Sequence, residues 1–292
     1  MKVYYECGAC FLRQAREAIN LSTENNDLKI EITKSIFKYM AENYEKGAQS
    51  NKIGTEMHRL IKEKTGCYDP YKKEKILGNE IAVKLLPKVK EILKKDNSLE
   101  NYVKIAIVGN ILDFGGLGLE TNLEEIMLEN LEKNLTINDN AEFEKAIENV
   151  DSVLYLADNT GEIVFDKLFI EKLKNDYGVN VTVALKEKPI LNDALVEDGL
   201  SIGLDNISTL VSTGTDSVGI VYDDISEEFK EIFKNHEFII TKGHGNYEGI
   251  TEIPKEVLKD KDIFTLLAVK CPALSQDIGV KERDMVFSKL KV

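Results

Sequence analysis

The stretch Ser152-Val153-Leu154-Tyr155-Leu156-Ala157, followed at once by Asp158-Asn159-Thr160-Gly161-Glu162, decides the fold class. A short apolar run of this length reads as a buried strand. The polar turn then opens a segment, 163–173, whose apolar residues recur at helical spacing. The same unit repeats downstream. Apolar runs at 180–185, 207–212, 237–241 and 264–269 alternate with helix-like segments at 191–197 and 227–234. Short buried strands alternating with helices imply a largely parallel sheet covered on both faces.

Upstream the pattern is helical. Segments 8–20, 28–46, 52–64 and 70–95 each place their apolar residues on one face, and Pro87 is expected to kink the last or start a new turn. Thr65-Gly66 and Asp69-Pro70 separate them. Lys62, Lys64, Lys72, Lys73 and Lys75 read as a solvated face. Residues 102–114 fit either a strand or the end of a helix, and run out in Gly109-Asn110 and Asp113-Phe114-Gly115-Gly116. The expected architecture is α/β. An α-helical subdomain, 1–100, packs on a three-layer α/β/α sandwich, 101–292, that carries the catalysis.

Composition narrows the function. The 292 residues are 43% hydrophobic, enough for a sizeable core. Lys and Arg total 38 against 51 Asp and Glu, a net charge of −13, which argues against a nucleic-acid partner. It also means that an anionic substrate needs a local device, such as a metal ion or a helix N-terminus. The first residues do not read as a targeting segment, and no run approaches the ~18 apolar residues of a membrane span. Four cysteines are too few for a disulfide scaffold. The expectation is a soluble cytoplasmic protein with no membrane partner; the sequence leaves its oligomeric state open.

Ligands of open parallel sheets bind beyond the carboxyl ends of the strands, so the loops there are informative. Asp158 and Asn159 follow the first sandwich strand and Asp193 follows the second. Two carboxylates and a carboxamide oxygen suit a hard divalent cation such as Mg²⁺ or Mn²⁺. The competing reading of Asp158-Asn159 is an N-cap and turn. Gly161 and Glu162 open a helix whose N–H groups are expected to face an anion, although Glu162 also suits the helix dipole. The loop from Gly214 to Gly219 offers a backbone nest and the Ser217 hydroxyl. Lys242, ending an apolar strand before a glycine, is expected to neutralise a phosphate. His244 reads as a supporting donor, His58 and His236 as ordinary helix residues. Cys7-Gly8-Ala9-Cys10 fits half a zinc site, a redox pair or two idle buried thiols. Whether Cys271 joins them stays open.

Together these motifs resemble a known family, the damage-control phosphatases, formerly a domain of unknown function and related to the acidic-residue methyltransferase-like proteins. The matching elements are Cys7-x-x-Cys10 with Arg13-Gln14, Asp69-Pro70-Tyr71, Gly109-Asn110-x-x-Asp113, Asp158-Asn159-Thr160-Gly161-Glu162, Asn192-Asp193, Gly214-Thr215-Asp216 and Lys242-Gly243-x-x-Asn246-Tyr247-Glu248. They span nearly the whole chain, and the CxxC points to subfamily I. The resemblance implies the same α/β/α core with a helical N-terminal part. It implies a divalent cofactor, Mn²⁺, Ni²⁺, Co²⁺ or Mg²⁺, on Asp158, Asn159 and Asp193. It also implies phosphate binding by Lys242, with Asn110, Asp113, Asp216, Asn246 and Glu248 as further substrate contacts. The implied reaction is hydrolysis of small, damaged or surplus phosphometabolites, with Asp158, Asp193 and Lys242 catalytic. Two rivals remain at this level: a carboxyl methyltransferase using S-adenosylmethionine, and a metal- or redox-sensing protein built on Cys7 and Cys10.

Overall fold

A computed structural model describes residues 1–111 and 123–291 of the chain. Within them lies a seven-stranded sheet: β1 (Ile137–Asn138), β2 (Ser152–Leu156), β3 (Asn180–Leu185), β4 (Thr209–Ser212), β5 (Phe238–Lys242), β6 (Asp262–Ala268) and β7 (Met285–Lys289). The spatial order is β1-β7-β6-β5-β2-β3-β4. Every neighbouring pair is parallel except β6 and β7. The expected α/β class with a largely parallel sheet is therefore what the chain adopts.

The five sequence-legible strands are continuous apolar runs because both faces are covered. Val153 and Tyr155 of β2 join one core cluster, with the helices Lys72–Lys95, Leu99–Ile111 and Glu162–Tyr177. Leu154 and Leu156, pointing the other way, join a second with Phe229, Phe233 and Ile250. β5 divides in the same way, with Phe238 and Ile240 in the first cluster and Ile239 in the second.

A third cluster, centred on Phe11, Ala18, Ile32, Ile36, Met57 and Ile61, holds together the helices Cys7–Ser22, Asn26–Asn43 and Ser50–Thr65. The helix Lys72–Lys95 runs unbroken through Pro87, and its Ala82, Val89 and Leu93 belong to the sandwich core. The ambiguous segment 102–114 is helical as far as Ile111. The expected helix 191–197 is instead a turn, with Leu191 at φ 47°, and the helix begins at Val196. An Asn159–Asp193 bridge and a Lys186–Leu195 bridge hold this segment in place of helical bonds. Among the described residues, no helix is long and apolar enough to cross a membrane.

Candidate active site

The loops after β2 and β3 are stitched together by their backbones. Ala194 N donates to Asp158 O (2.8 Å), Thr160 N to Asn192 O (3.0 Å) and Lys186 N to Ala194 O (3.0 Å). These bonds bring Asp158, Asn159 and Asp193 to one wall of a cavity of about 510 Å³. Asn110, from the end of the helix Leu99–Ile111, and Lys270, two residues beyond β6, join the same wall. The opposite wall comes from Cys7, Cys10 and Gln14 of the first helix, with Cys271 alongside.

Two glycines allow this approach. At Gly243 φ is +77°, and a Cβ there would lie 1.8 Å from Asp158 Oδ2. At Gly109 a Cβ would come within 2.9 Å of the Phe165 ring, where the helix Leu99–Ile111 lies against Glu162–Tyr177.

Asp158 is buried, and its carboxyl is held well above the ordinary range by that burial and by the charges of Glu162 and Asp193. Burial likewise pushes Asp193 up to about 6, against the pull of Lys186. Asp193 Oδ2 makes no hydrogen bond; Lys186 Nζ stands 3.6 Å away, within ion-pair range but outside hydrogen-bond geometry. Two desolvated carboxylates side by side form a site that favours a cation.

Lys242 departs from expectation. Its side chain is fully buried and does not line the cavity. Nζ donates to Glu162 Oε1 (2.5 Å), Asp166 Oδ1 (2.6 Å) and Ala106 O (3.0 Å). Burial opposes its charge, but Asp166 and Glu162 more than offset that and hold its pKa above the usual lysine value. With all three donors committed inside the fold, Nζ has none to offer a phosphate in this arrangement. Lys270 stands at the cavity instead; it is exposed, and its Nζ donates to Asn110 O. It was legible in principle, as the lysine just past the fifth apolar run. His244, with Nε2 2.6 Å from Ala268 O, lines the cavity and is held neutral, its pKa lowered to about 3 by burial and by Lys270.

Other expected contacts are engaged elsewhere. Gly161 N, taken for an anion donor, donates to Asn79 Oδ1 (2.7 Å). Glu162 is buried beneath the wall. The nest from Gly214 to Gly219 is self-satisfied: Gly214 N donates to Ser212 Oγ, Ser217 N to Thr215 Oγ1 and Val218 N to Thr55 Oγ1. The Ser217 hydroxyl donates to Asp224 (2.8 Å). Asp216 accepts from Arg59 (2.7 Å) and Lys62 (2.7 Å) on the helix Ser50–Thr65, away from the cavity. Lys62, expected in solvent, is thus committed, as is buried Lys75, which pairs with Asp69 (2.7 Å). Asn246 is buried and donates to Ala157 O and Lys242 O, both at 2.9 Å. Glu248 does line the cavity, its Oε2 accepting from Ser50 Oγ (2.6 Å). Asp113 lies outside the described residues. Cys7, Cys10 and Cys271 are half-buried free thiols on the cavity. Among the described residues no three His, Cys, Asp or Glu side chains gather as a ready metal cluster; the cation-favouring set here includes a carboxamide.

Comparison with known proteins bears on this arrangement. A family model described as the damage-control phosphatase ARMT1-like domain matches residues 3–286. An uncharacterised protein of Methanocaldococcus jannaschii is 35% identical, over 99% of this chain and 96% of that protein. A damage-control phosphatase of Pyrococcus horikoshii is 34% identical, over 100% and 99%. One of Archaeoglobus fulgidus is 31% identical, over 98% of each. The crystal structure of a DUF89 family protein from P. horikoshii superposes with a TM-score of 0.88 at 33% identity, covering all of both chains.

Proposed function

The chain belongs to the damage-control phosphatase ARMT1-like family, and from that premise we propose that it is a metal-dependent phosphatase acting on small phosphomonoesters, damaged phosphometabolites among them. The observation that carries this reading is the meeting of Asp158, Asn159, Asp193 and Lys270 on one cavity wall. Asp158, Asn159 and Asp193 would hold the divalent ion. Their fit to it rests on two desolvated carboxylates pressed together, one with an oxygen free of hydrogen bonds, in a set of hard oxygen donors. When bound, such an ion supplies Lewis-acid polarisation of the phosphoryl group and a water of lowered pKa.

The chain's own residues do the rest. Lys270 anchors the phosphoryl oxygens as a point charge at the open side of the site. Asp193 orients the attacking water through its unbonded oxygen. Asp216, the other carboxylate considered for that task, is neutralised by Arg59 and Lys62 and has no access. The buried Lys242 keeps Glu162 in place below the wall. The cavity's remaining volume, toward Cys10 and Gln14, receives the alcohol half of the substrate.

The test is hydrolysis of p-nitrophenyl phosphate by chelator-stripped protein with single divalent metals restored, beside an Asp158→Ala variant. Metal-restored turnover that the variant lacks is the expected result. A folded protein with no turnover on any metal overturns the proposal.

A further inference from the structure

Four hydrogen bonds below the cavity wall join two carboxamides to two carboxylate oxygens. Asn110 Nδ2 donates to Asp158 Oδ2 (2.8 Å) and to Glu162 Oε2 (2.9 Å). Asn159 Nδ2 donates to the same two oxygens, at 2.8 and 3.2 Å. The second Glu162 oxygen is held by Lys242 Nζ at 2.5 Å. Asn110 and Asn159 line the cavity, whereas Glu162 is fully buried and does not.

A carboxamide carries its donor and acceptor on opposite arms of one plane. When both NH₂ groups turn down to the carboxylates, both Oδ1 atoms must turn away from them. Asn110 Oδ1 is accordingly left buried with no hydrogen-bond partner. Glu162 Oε2 is a fixed acceptor because Lys242 fixes its twin. Deleting that acceptor removes one of the two reasons for each amide to face as it does.

We propose that Glu162 is a positioning residue for the divalent cation: anchored by Lys242, its Oε2 orients the carboxamides of Asn110 and Asn159 so that Asn159 presents oxygen, not NH₂, to the ion. This rests on the metal-dependent reading above. The rival role for Glu162 is a buried counter-charge for Lys242 and nothing more. Asp166 separates the two roles. It pairs with the same Lys242 nitrogen (2.6 Å) and is equally buried, but makes no bond to either carboxamide.

The decisive measurement is Mn²⁺ affinity of the metal-free protein, from electron paramagnetic resonance of free Mn²⁺ during titration, with thermal melting in parallel. Glu162→Gln keeps an oxygen for Lys242 but sets NH₂ against two NH₂ groups, a clash relieved by turning Asn159 over. Its Mn²⁺ Kd is expected to rise roughly 10- to 100-fold, the usual cost of losing a group that orients a metal ligand. Asp166→Asn is expected to lower the melting temperature and leave the Kd within about threefold of wild type. Asn110→Ala, which keeps every buried charge, carries the same test if the Glu162 variant does not fold, with an expected rise of about tenfold. Unchanged Mn²⁺ affinity in the folded Glu162 variant, or in Asn110→Ala, overturns the proposal. So does an equal loss in Asp166→Asn, which reduces Glu162 to a counter-charge. A folded wild-type protein that binds no Mn²⁺ brings down the metal reading itself, a failure distinct from the other two.

Discussion

The loop Asp158 to Glu162 after β2 and the loop Thr213 to Ser217 after β4 leave the same edge of the sheet with the same kinds of side chain: carboxylate, hydroxyl and glycine. The first ends on the cavity, with Asp158 beside Asp193 and no cation of the chain bonded directly to it. The second ends against the helix Ser50–Thr65, with Asp216 clamped by Arg59 and Lys62. What separates a site from a strut is therefore the company each carboxylate keeps. Where a lysine or arginine of the same chain arrives, the charge is spent on holding two layers together. Where glycine lets other carboxylates approach, the charge stays unmatched and ready for a ligand.

Changing one aspartate in each loop region tests that contrast most strongly. Asp193→Ala should lower kcat/KM on p-nitrophenyl phosphate by about a thousandfold or more, near 4 kcal/mol of transition-state stabilisation. Its melting temperature should hold or rise, because a desolvated carboxylate next to another is removed. A drop of under tenfold would place the chemistry elsewhere.

The sequence carried the sheet well and the site in part. β2 to β6 were legible because each has both faces covered, so the runs are apolar throughout. β7 is antiparallel and partly exposed, and β1 has two residues; neither makes such a run. Asp158, Asn159 and Asp193 were legible because strand ends in a parallel sheet converge. Lys242 was misjudged on a point of parity: the alternation that buries Phe238 and Ile240 buries Lys242 with them. Its partners left a signal, since Glu162 and Asp166 stand four apart on a helix otherwise filled at Ile163, Phe165 and Phe169. Two carboxylates on the buried stretch of a helix call for a buried cation. The fate of the Gly214 to Gly219 nest was not legible, because Thr55 and Ser212, which consume its amides, are recognised only in three dimensions.

The strut side should also carry a pH dependence that the β2 side does not. His58 is buried in the helix Ser50–Thr65, and burial, with the charge of Lys62, lowers its pKa to about 4. The unfolded chain binds that proton near pH 6.5, so it holds more protons than the folded one between about 6.5 and 4. Stability therefore falls as pH falls through that window, by about 3 kcal/mol at most. His58→Gln should flatten the melting profile between pH 7 and 4.5. An unchanged profile would assign the acid sensitivity to other groups.

Asp216→Ala tests the clamp directly. Burial raises its pKa, but the bonds from Lys62 and Arg59 outweigh burial and leave it lowered, so its contribution persists to below the ordinary carboxylate range. Removing it strands two cations in a half-buried network, at a cost of about 2 kcal/mol. Chemical denaturation should show that loss while kcat/KM stays within about threefold. A large activity loss at full stability would make Asp216 part of the site and dissolve the contrast between the loops.

The smallest effect is expected at the cavity's other wall. Cys7 and Cys10 face the same space as Asp158, yet their contacts are sparse. Tyr4 N donates to Cys7 Sγ (3.4 Å) and Gln14 Nε2 to Cys10 Sγ (3.4 Å), both long contacts that a serine oxygen can approximate. Burial raises the Cys7 thiol above its ordinary pKa, which keeps it protonated and a poor nucleophile or metal ligand near neutrality. If hydrolysis is carried by Asp158, Asp193 and Lys270, the double variant Cys7→Ser, Cys10→Ser should hydrolyse p-nitrophenyl phosphate within about twofold of wild type, under ~0.5 kcal/mol. A sensing protein built on these thiols predicts the reverse pattern, with function lost in the double variant and kept in Asp158→Asn. Assaying both variants under reducing conditions with the same metal therefore asks which wall of one cavity does the chemistry, and the two readings cannot both survive the answer.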